Sequence, residues 1–479
     1  MARLTEARPA LVMLVIALGL PAACTLEPYG VPGCRIGQCN DGNACTIDRC
    51  DEQLGECLFE PVAGGTDCST DGDVCNGVER CDGLGRCVSG EAVDSDDGDP
   101  CTEDTCDSLT GVVSHAPIMG CNVIEAGWMP LPTDGAPSPR ALHSTIWTGG
   151  EMIVWGGKVT GSPPAVNDGA RYDPSADAWT AVSSVGAPAP RHSHSAVWTG
   201  SEMIVWGGFG ATDYVTDGAR YDPANDTWTP ISSVGAPQGR TFHATLWTGD
   251  ELVVWGGLQD TTVLADGARY DPGSDTWAPM TAGGALPARL APAAAWTGSE
   301  VMLWGGGNTF DWLDEGAFYD PTTDVWTAAT PMDHVPRFRE QASAAWTGSR
   351  VVIWGGWDGG NYLKDGALLA PGATSWEPLS DVNAPNPRAQ HLTLWTGDAL
   401  FVWGGCAGQA CNVIQGDGGI WRDDGAEGTW SPVLEDDMLS GRREPRGVFT
   451  GREVIIWGGR DDGGNLGDGA RAVLAGFDR

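Results

Sequence analysis

Past residue 128 the chain is written in short apolar runs separated by glycine- and proline-bearing turns. In the first full copy the alternating run His143-Ser144-Thr145-Ile146-Trp147 predicts a half-buried strand, A, and Thr148-Gly149 turns the chain. The next run, Met152-Ile153-Val154-Trp155, is apolar at every position, as a strand covered on both faces must be, and Gly156-Gly157 ends it. This is strand B. Strand C begins near Gly169 and stops at Asp173-Pro174, because proline has no amide to give to a ladder, and strand D carries Trp179. Four antiparallel strands with glycine and proline at the corners describe one blade of a β-propeller.

The unit recurs. Trp-Gly-Gly closes strand B at Trp155, Trp206, Trp255, Trp304, Trp354, Trp403 and Trp457, at intervals of 49 to 54 residues. A solenoid would use shorter repeats and atypical capping units. The ends of the array favour a ring. Seven strand-D tryptophans stand at Trp128, Trp179, Trp228, Trp277, Trp326, Trp376 and Trp430, yet Trp128 precedes the first A strand and the last copy has none. The segment around Trp128 is therefore expected to supply the outer strand of the last blade. The fold class that follows is all-β: a seven-bladed propeller of four-stranded blades over residues 122–479, with a small disulfide-rich module before it.

The double glycine after strand B, the Tyr-Asp-Pro that ends strand C (first at Tyr172 to Pro174) and the strand-D tryptophan resemble the kelch repeat family, over residues 128 to 479. The sialidase Asp-box, Ser-x-Asp-x-Gly-x-Thr-Trp, is not met by the segment Asp222 to Trp228. The kelch resemblance implies a scaffold used mostly for binding and, in some relatives, for catalysis, as in the kelch epimerases that handle sialic acid.

The first residues read differently. Arg3 and Arg8 precede an apolar run from Ala10 to Leu20, then Ala22, Ala23 and Cys24, which is the layout of an export signal over residues 1–23, with a linker over 24–33. Leu20-Pro21-Ala22-Ala23-Cys24 resembles the lipobox of bacterial lipoproteins, with Pro21 where leucine is usual. Cys24 is thus the candidate lipidation site, and the protein is expected at the cell envelope or surface, or secreted. Of 15 cysteines, twelve lie between Cys34 and Cys121 and two are Cys406 and Cys411, which leaves Cys24 unpaired. No Cys-x-x-Cys pair occurs in the cluster, so disulfides are expected over zinc thiolates. Three short polar copies, Cys39 to Cys57, Cys68 to Cys87 and Asp97 to Cys121, cannot each bury a core, and cross-links over 34–121 take its place. Their Asp-Gly-x-x-Cys pattern resembles repeats of secreted bacterial cysteine-rich proteins, which implies a stalk or spacer. Asp94 to Asp99 lacks the Glu of a calcium loop and is read as a solvated turn.

A formal charge of −37, with Lys158 and Lys364 the only lysines, repels phosphate backbones and anionic lipid. Nucleic acid is excluded as a partner, and membrane contact is expected only through an N-terminal lipid.

Two rings of charge share the face where strand A starts and strand B ends. Arg140, Arg191, Arg240, Arg289, Arg339, Arg388 and Arg442 each stand seven residues before the last aromatic of strand A. Asp168, Asp217, Asp266, Glu315, Asp365, Asp417 and Asp468 open the C strands. Matching counts favour structural ion pairs over an anion-binding mouth. Function should lie where the repeat is broken, in the B–C loops: Phe209 and Tyr214 in blade 2, Asn308, Phe310, Asp311 and Trp312 in blade 4, Trp357, Asp358, Asn361 and Tyr362 in blade 5, and the Cys406 to Cys411 insertion in blade 6, read as a disulfide. Aromatic faces beside Asp and Asn suit a sugar or a peptide. The opposite face, made of near-identical turns, looks unsuited to selectivity. His143, His194, His243 and His391 share one repeat position where other blades carry Pro292, Ala342 and Pro445, which argues for a lining role over metal binding or catalysis. No nucleophile–base motif is present, and no cofactor or metal is expected. The sequence points to an exported, lipid-anchored, non-enzymatic binding module for a protein or glycan; a carbohydrate-active enzyme of the kelch epimerase type and a purely structural surface-display protein are the alternatives.

Overall fold

The computed structural model describes residues 39–51, 54, 56–68, 73, 75–90, 92–95, 102–117, 124, 127–281, 286–308, 313–329, 335–423, 425 and 427–474. The chain divides into two compact units, Met1–Asp96 with Asp104–His115, and Asp97–Glu103 with Ala116–Arg479.

The first unit is stapled more than packed. Hairpins join Thr46–Asp51 to Glu56–Pro61 and Arg80–Cys81 to Cys87–Val88. Disulfides link Cys39 to Cys57, Cys45 to Cys81, Cys68 to Cys87 and Cys75 to Cys106, and Cys50 is also disulfide-bonded. The only buried cluster described here is Cys45, Cys68 and Cys81 with Val62 against it, so cross-links carry what apolar burial cannot. The sulfurs of Cys45, Cys68 and Cys87 lie within 4.8 Å of one another, but all three are spent in disulfides. The export signal 1–23, Cys24, Cys34, Cys101, Cys121 and the acidic stretch 96–99 lie outside the described residues.

The second unit is the seven-bladed propeller expected from the repeat. Blade 1 runs A Ser144–Trp147, B Met152–Trp155, C Gly169–Asp173 and D Ala178–Ala181, each antiparallel to the next. Blades 2 to 6 repeat this order. Blade 7 takes A, B and C from Arg446–Phe449, Glu453–Trp457 and Gly469–Val473, and its outer strand is Met129–Pro130, with Arg471 opposite Met129 and Ala470 opposite Pro130. The chain's early strand thus completes its last sheet.

The repeated residues explain the blades. Asp-Gly before strand C is needed because a Cβ on Gly169 would lie 2.2 Å from the Val154 carbonyl oxygen. The second glycine after strand B, Gly157, has φ +111°, and a Cβ there would meet His143 Cβ at 2.8 Å. Every strand B is buried along its whole apolar run except at the Glu453 end of blade 7. Each strand-B tryptophan packs on the strand-D tryptophan of the following blade: Trp155 on Trp228, Trp206 on Trp277, Trp255 on Trp326, Trp304 on Trp376, Trp354 on Trp430, Trp403 on Trp128 and Trp457 on Trp179, with centroids 4.6 to 5.9 Å apart. Seven such pairs, each worth about 0.5–1.5 kcal/mol beyond area burial, stitch neighbouring blades together.

Candidate functional site

The seven arginines anchor the face. All are fully buried, at most 1% exposed. Each pairs with the acid that opens strand C of its own blade, at 2.7 to 3.2 Å: Arg140–Asp168, Arg191–Asp217, Arg240–Asp266, Arg289–Glu315, Arg339–Asp365, Arg388–Asp417 and Arg442–Asp468. The acids remain 35 to 61% exposed, so the pairs themselves are partly screened. The carbonyls matter more. In each blade the arginine Nη1 also donates to the carbonyl of the first glycine after strand B and to that of the acid, as Arg240 does to Gly256 O at 3.0 Å and Asp266 O at 3.1 Å. The arginine's own carbonyl accepts from the second glycine of the preceding blade, as Gly208 N to Arg240 O at 3.0 Å, and at the ring closure Gly459 N to Arg140 O at 3.0 Å. One side chain therefore ties its blade internally while its backbone ties two blades. Burial lowers the pKa of Arg289 to about 10 against the pull of Glu315, so it stays charged at neutral pH.

The broken positions meet different fates. Phe209 and Tyr214 stack on each other, centroids 5.0 Å and planes at 90°, and bridge within their own loop in blade 2. They are remote from the blade 5 residues in the ring order. Asn308 is held by contacts of its own. Phe310, Asp311 and Trp312 lie outside the described residues. Asp358 is not an exposed ligand: it is 8% exposed and accepts from the amides of Gly360 at 3.0 Å and Asn361 at 2.6 Å. Burial works against its ionisation, and those hydrogen bonds with the Arg337 charge outweigh it, holding its carboxyl below the usual range. It shapes the loop.

Trp357, Asn361 and Tyr362 are brought together with the blade 6 insertion. They line a cleft of about 800 Å³ with Asn386, Gln409 and Gln415. Cys406 and Cys411 are disulfide-bonded, and the strands Cys406–Ala407 and Val413–Ile414 pair beside them, so this wall is stiff. An adjoining cavity of about 290 Å³ is shared by Trp357 and Tyr362 with Glu340, Gln341, Gln390 and Cys411. Burial raises the pKa of Glu340. Burial also pushes the Tyr362 phenol up, with the Cys411 amide and Arg443 pulling it back.

Glu340, Gln341, Gln390 and Arg443 were not singled out by motif. They stand in the two positions after each repeated arginine, which read Ala141-Leu142, His192-Ser193, Thr241-Phe242, Leu290-Ala291, Glu340-Gln341, Ala389-Gln390 and Arg443-Glu444. The second member has a left-handed backbone in all seven blades, φ +47° to +56°. A non-glycine residue pays strain there, which a rim of inter-blade hydrogen bonds offsets, such as Glu444 N to Gln390 O at 2.9 Å. The signal was available: two freely varying residues behind an invariant one.

The opposite face also carries clefts. A cleft of about 980 Å³ lies there between blades 3 and 4, lined by Thr248, Asp250, Glu251, Arg269 and Asp320 among others. A smaller one of about 660 Å³ lies at the equivalent place between blades 1 and 2, with Thr148, Glu151, Glu202 and Asp222. The face is concave, but its chemistry follows the repeat.

The profile of the KLHDC2/KLHL20/DRC7 Kelch-repeats domain matches residues 142–356 and 293–471. A Dictyostelium (slime mold) repeat matches residues 38–62 and 95–118. The chain is 40% identical over 90 residues to protein psiR of Dictyostelium discoideum, covering 17% of this chain and 9% of that protein. It is 38% identical over 97 residues to protein psiJ of the same organism, 19% and 13% respectively, and 30% identical over 94 residues to its Rho GTPase-activating protein gacHH, 18% and 6%. The chain thus spans 6 to 13% of the length of these relatives. The repeats match those of a slime mold rather than of secreted bacterial proteins, which corrects the resemblance drawn from Asp-Gly-x-x-Cys alone.

Proposed function

The chain belongs to the Kelch-repeat family, and from that premise we propose that its propeller is a non-enzymatic binding module that takes a protein or glycan ligand in the cleft between blades 5 and 6. The lining of that cleft carries the reading. The ring faces of Trp357 and Tyr362 stand beside the amides of Asn361, Asn386, Gln409 and Gln415, with no charged side chain among the lining residues. Apolar faces with neutral hydrogen-bonding edges suit a sugar ring or an uncharged peptide loop, and a stiff wall lowers the ordering cost of binding. The commitment of all seven mouth arginines to their acids and to backbone carbonyls supports a scaffold role for them.

A second reading, a carbohydrate-active enzyme of the kelch epimerase type, is favoured by one observation: Glu340 is a buried carboxyl of raised pKa in a cavity shared with Trp357 and Tyr362. We further propose that the chain is exported and anchored through Cys24, with the cysteine-rich segment as a stalk. The disulfides of that segment support an oxidising compartment.

The test is a screen of the full chain against glycan and surface-protein arrays, repeated with Trp357→Ala. Binding weakened tenfold or more, about 1.4 kcal/mol, at an unchanged melting temperature supports the cleft. Undiminished binding moves the site elsewhere, and no ligand at all favours surface display. Turnover that disappears in Glu340→Gln would favour the enzyme. Mass spectrometry of the mature N-terminus checks the anchor: a lipid-modified Cys24 is expected, and an uncleaved Met1 refutes it.

A further inference from the structure

The seven A strands form a closed ring, each against the next, with Arg446–Phe449 against Ser144–Trp147. They surround a channel, of which about 480 Å³ is lined by alanine, threonine, tryptophan and their neighbours in blades 3 to 6. Among all the residues of the seven A strands, Arg446 alone is charged.

Its position has a partner in the repeat. The first residue of strand A meets the histidine position of the following blade. Where that blade carries histidine, three of the four junctions supply serine: Ser144 Oγ lies 3.0 Å from His194 Nε2, and Ser195 and Ser343 bond His243 and His391 in the same way. Where the following blade carries Pro292, Ala342 or Pro445, the residue is Ala244, Ala293 or Leu392, and no polar atom needs a partner. The junction of blades 7 and 1 departs from this. His143 is present, but it faces Arg446.

The consequences are visible in both side chains. His143 is 3% exposed, and neither of its ring nitrogens makes a hydrogen bond of good geometry, the Trp457 backbone being a weak partner at most. Arg446 uses Nε on the carbonyl oxygen of His143 at 3.2 Å. Among the described residues no carboxylate forms an ion pair with its guanidinium; Glu444, whose charge acts on it from nearby, is engaged by Arg460 at 2.8 Å. Arg446 is an exposed residue. A cation held in no ion pair and a buried imidazole short of a well-formed hydrogen bond stand at one junction.

We propose that the junction of blades 7 and 1 is a binding site for a small oxyanion, held by the guanidinium of Arg446 and the ring N–H of His143. The guanidinium fork matches a carboxylate or a tetrahedral oxyanion, and one further oxygen accepts from the imidazole. A neutral molecule would leave the cation uncompensated. The position inside the ring of strands restricts the ligand to small species.

The full chain, exchanged into chloride-free buffer, is titrated calorimetrically with sulfate, phosphate and formate, with glycerol as the neutral control. Crystals are soaked in selenate and mapped by anomalous scattering. One saturable site and one selenium peak between Arg446 and His143 are expected; the formate and sulfate arms decide between planar and tetrahedral ligands. Arg446→Ser installs the serine of the other histidine-bearing junctions, so it keeps the fold, lacks the peak and binds at least about tenfold more weakly. An empty junction in wild-type crystals, or binding unchanged in Arg446→Ser, overturns the proposal. Should that variant fail to fold, the wild-type selenate map decides alone.

Discussion

Replacing Arg240 with alanine tests the arginine ring directly. The side chain is fully buried, while Asp266 is 60% exposed. Its Nε donates to Gln238 O at 2.8 Å and its Nη1 to Gly256 O at 3.0 Å and Asp266 O at 3.1 Å. Truncation strands three carbonyls, of which the one at Gly256 is wholly enclosed. An unsatisfied buried acceptor costs about 1–3 kcal/mol, and water entering the vacated space relieves the outer two. Loss of the aliphatic stem adds about 0.8 kcal/mol per methylene. The sum expected for Arg240→Ala is about 3–5 kcal/mol. The ion pair contributes little of it, so Asp266→Ala should cost at most about 1 kcal/mol. Arg240→Lys, with charge but no fork, should fall between. Urea unfolding monitored by tryptophan fluorescence gives the midpoints, and unfolding rates replace them if the transition is irreversible. A cost for Asp266→Ala equal to that of Arg240→Ala, or an Arg240→Ala cost below about 1 kcal/mol, would show that the carbonyl network is not what the arginine supplies.

Three further outcomes are expected. Burial, with Arg240 and Arg388 nearby, lowers His243 and His391 from 6.5 to about 3; the unfolded chain therefore binds protons the folded one refuses, and stability is full above pH 6.5 and falls toward pH 3, by about 1.4 kcal/mol per pH unit for each histidine. The pair Ser195→Ala with His243→Ala should flatten that slope by one histidine's share, and an unaltered slope refutes the assignment. Trp128→Ala, at a residue 3% exposed and 5.7 Å from Trp403, should cost about 3–5 kcal/mol and deprotect Gly469–Val473 first in hydrogen exchange; uniform loss of protection would contradict a local role. Replacing Cys406 and Cys411 with serine opens a loop of five residues' separation, so stability should drop by no more than about 2 kcal/mol while ligand affinity at the cleft falls; affinity unchanged would show the wall needs no staple.

Much of the propeller was legible because its determinants repeat. A period set by Trp-Gly-Gly gave the strands, and one tryptophan out of order, Trp128, gave the closure. The site was less legible, because single-copy residues carry no periodic signal. Phe209 and Tyr214 fit the expected composition but are spent on each other. Asp358 read as a surface ligand and is folded into its own turn by two amides. Glu340 and Gln390 escaped notice because they follow an arginine that draws attention to the scaffold. The Ser–His junctions are written in the sequence, yet matching Ser195 to His243 requires knowing which blade follows which.

The outer strand of blade 7 has a temporal consequence. Met129–Pro130 leaves the ribosome long before Gly469–Val473, so until that strand emerges the inner sheets can form but the circle cannot. Until then, two tryptophan-bearing flanks and an unpaired sheet border remain open to any passing chain, a hazard that grows with the time spent waiting. Circular permutation that begins the polypeptide at a whole blade would remove the wait for the missing strand, and its refolding yield should exceed that of the natural order.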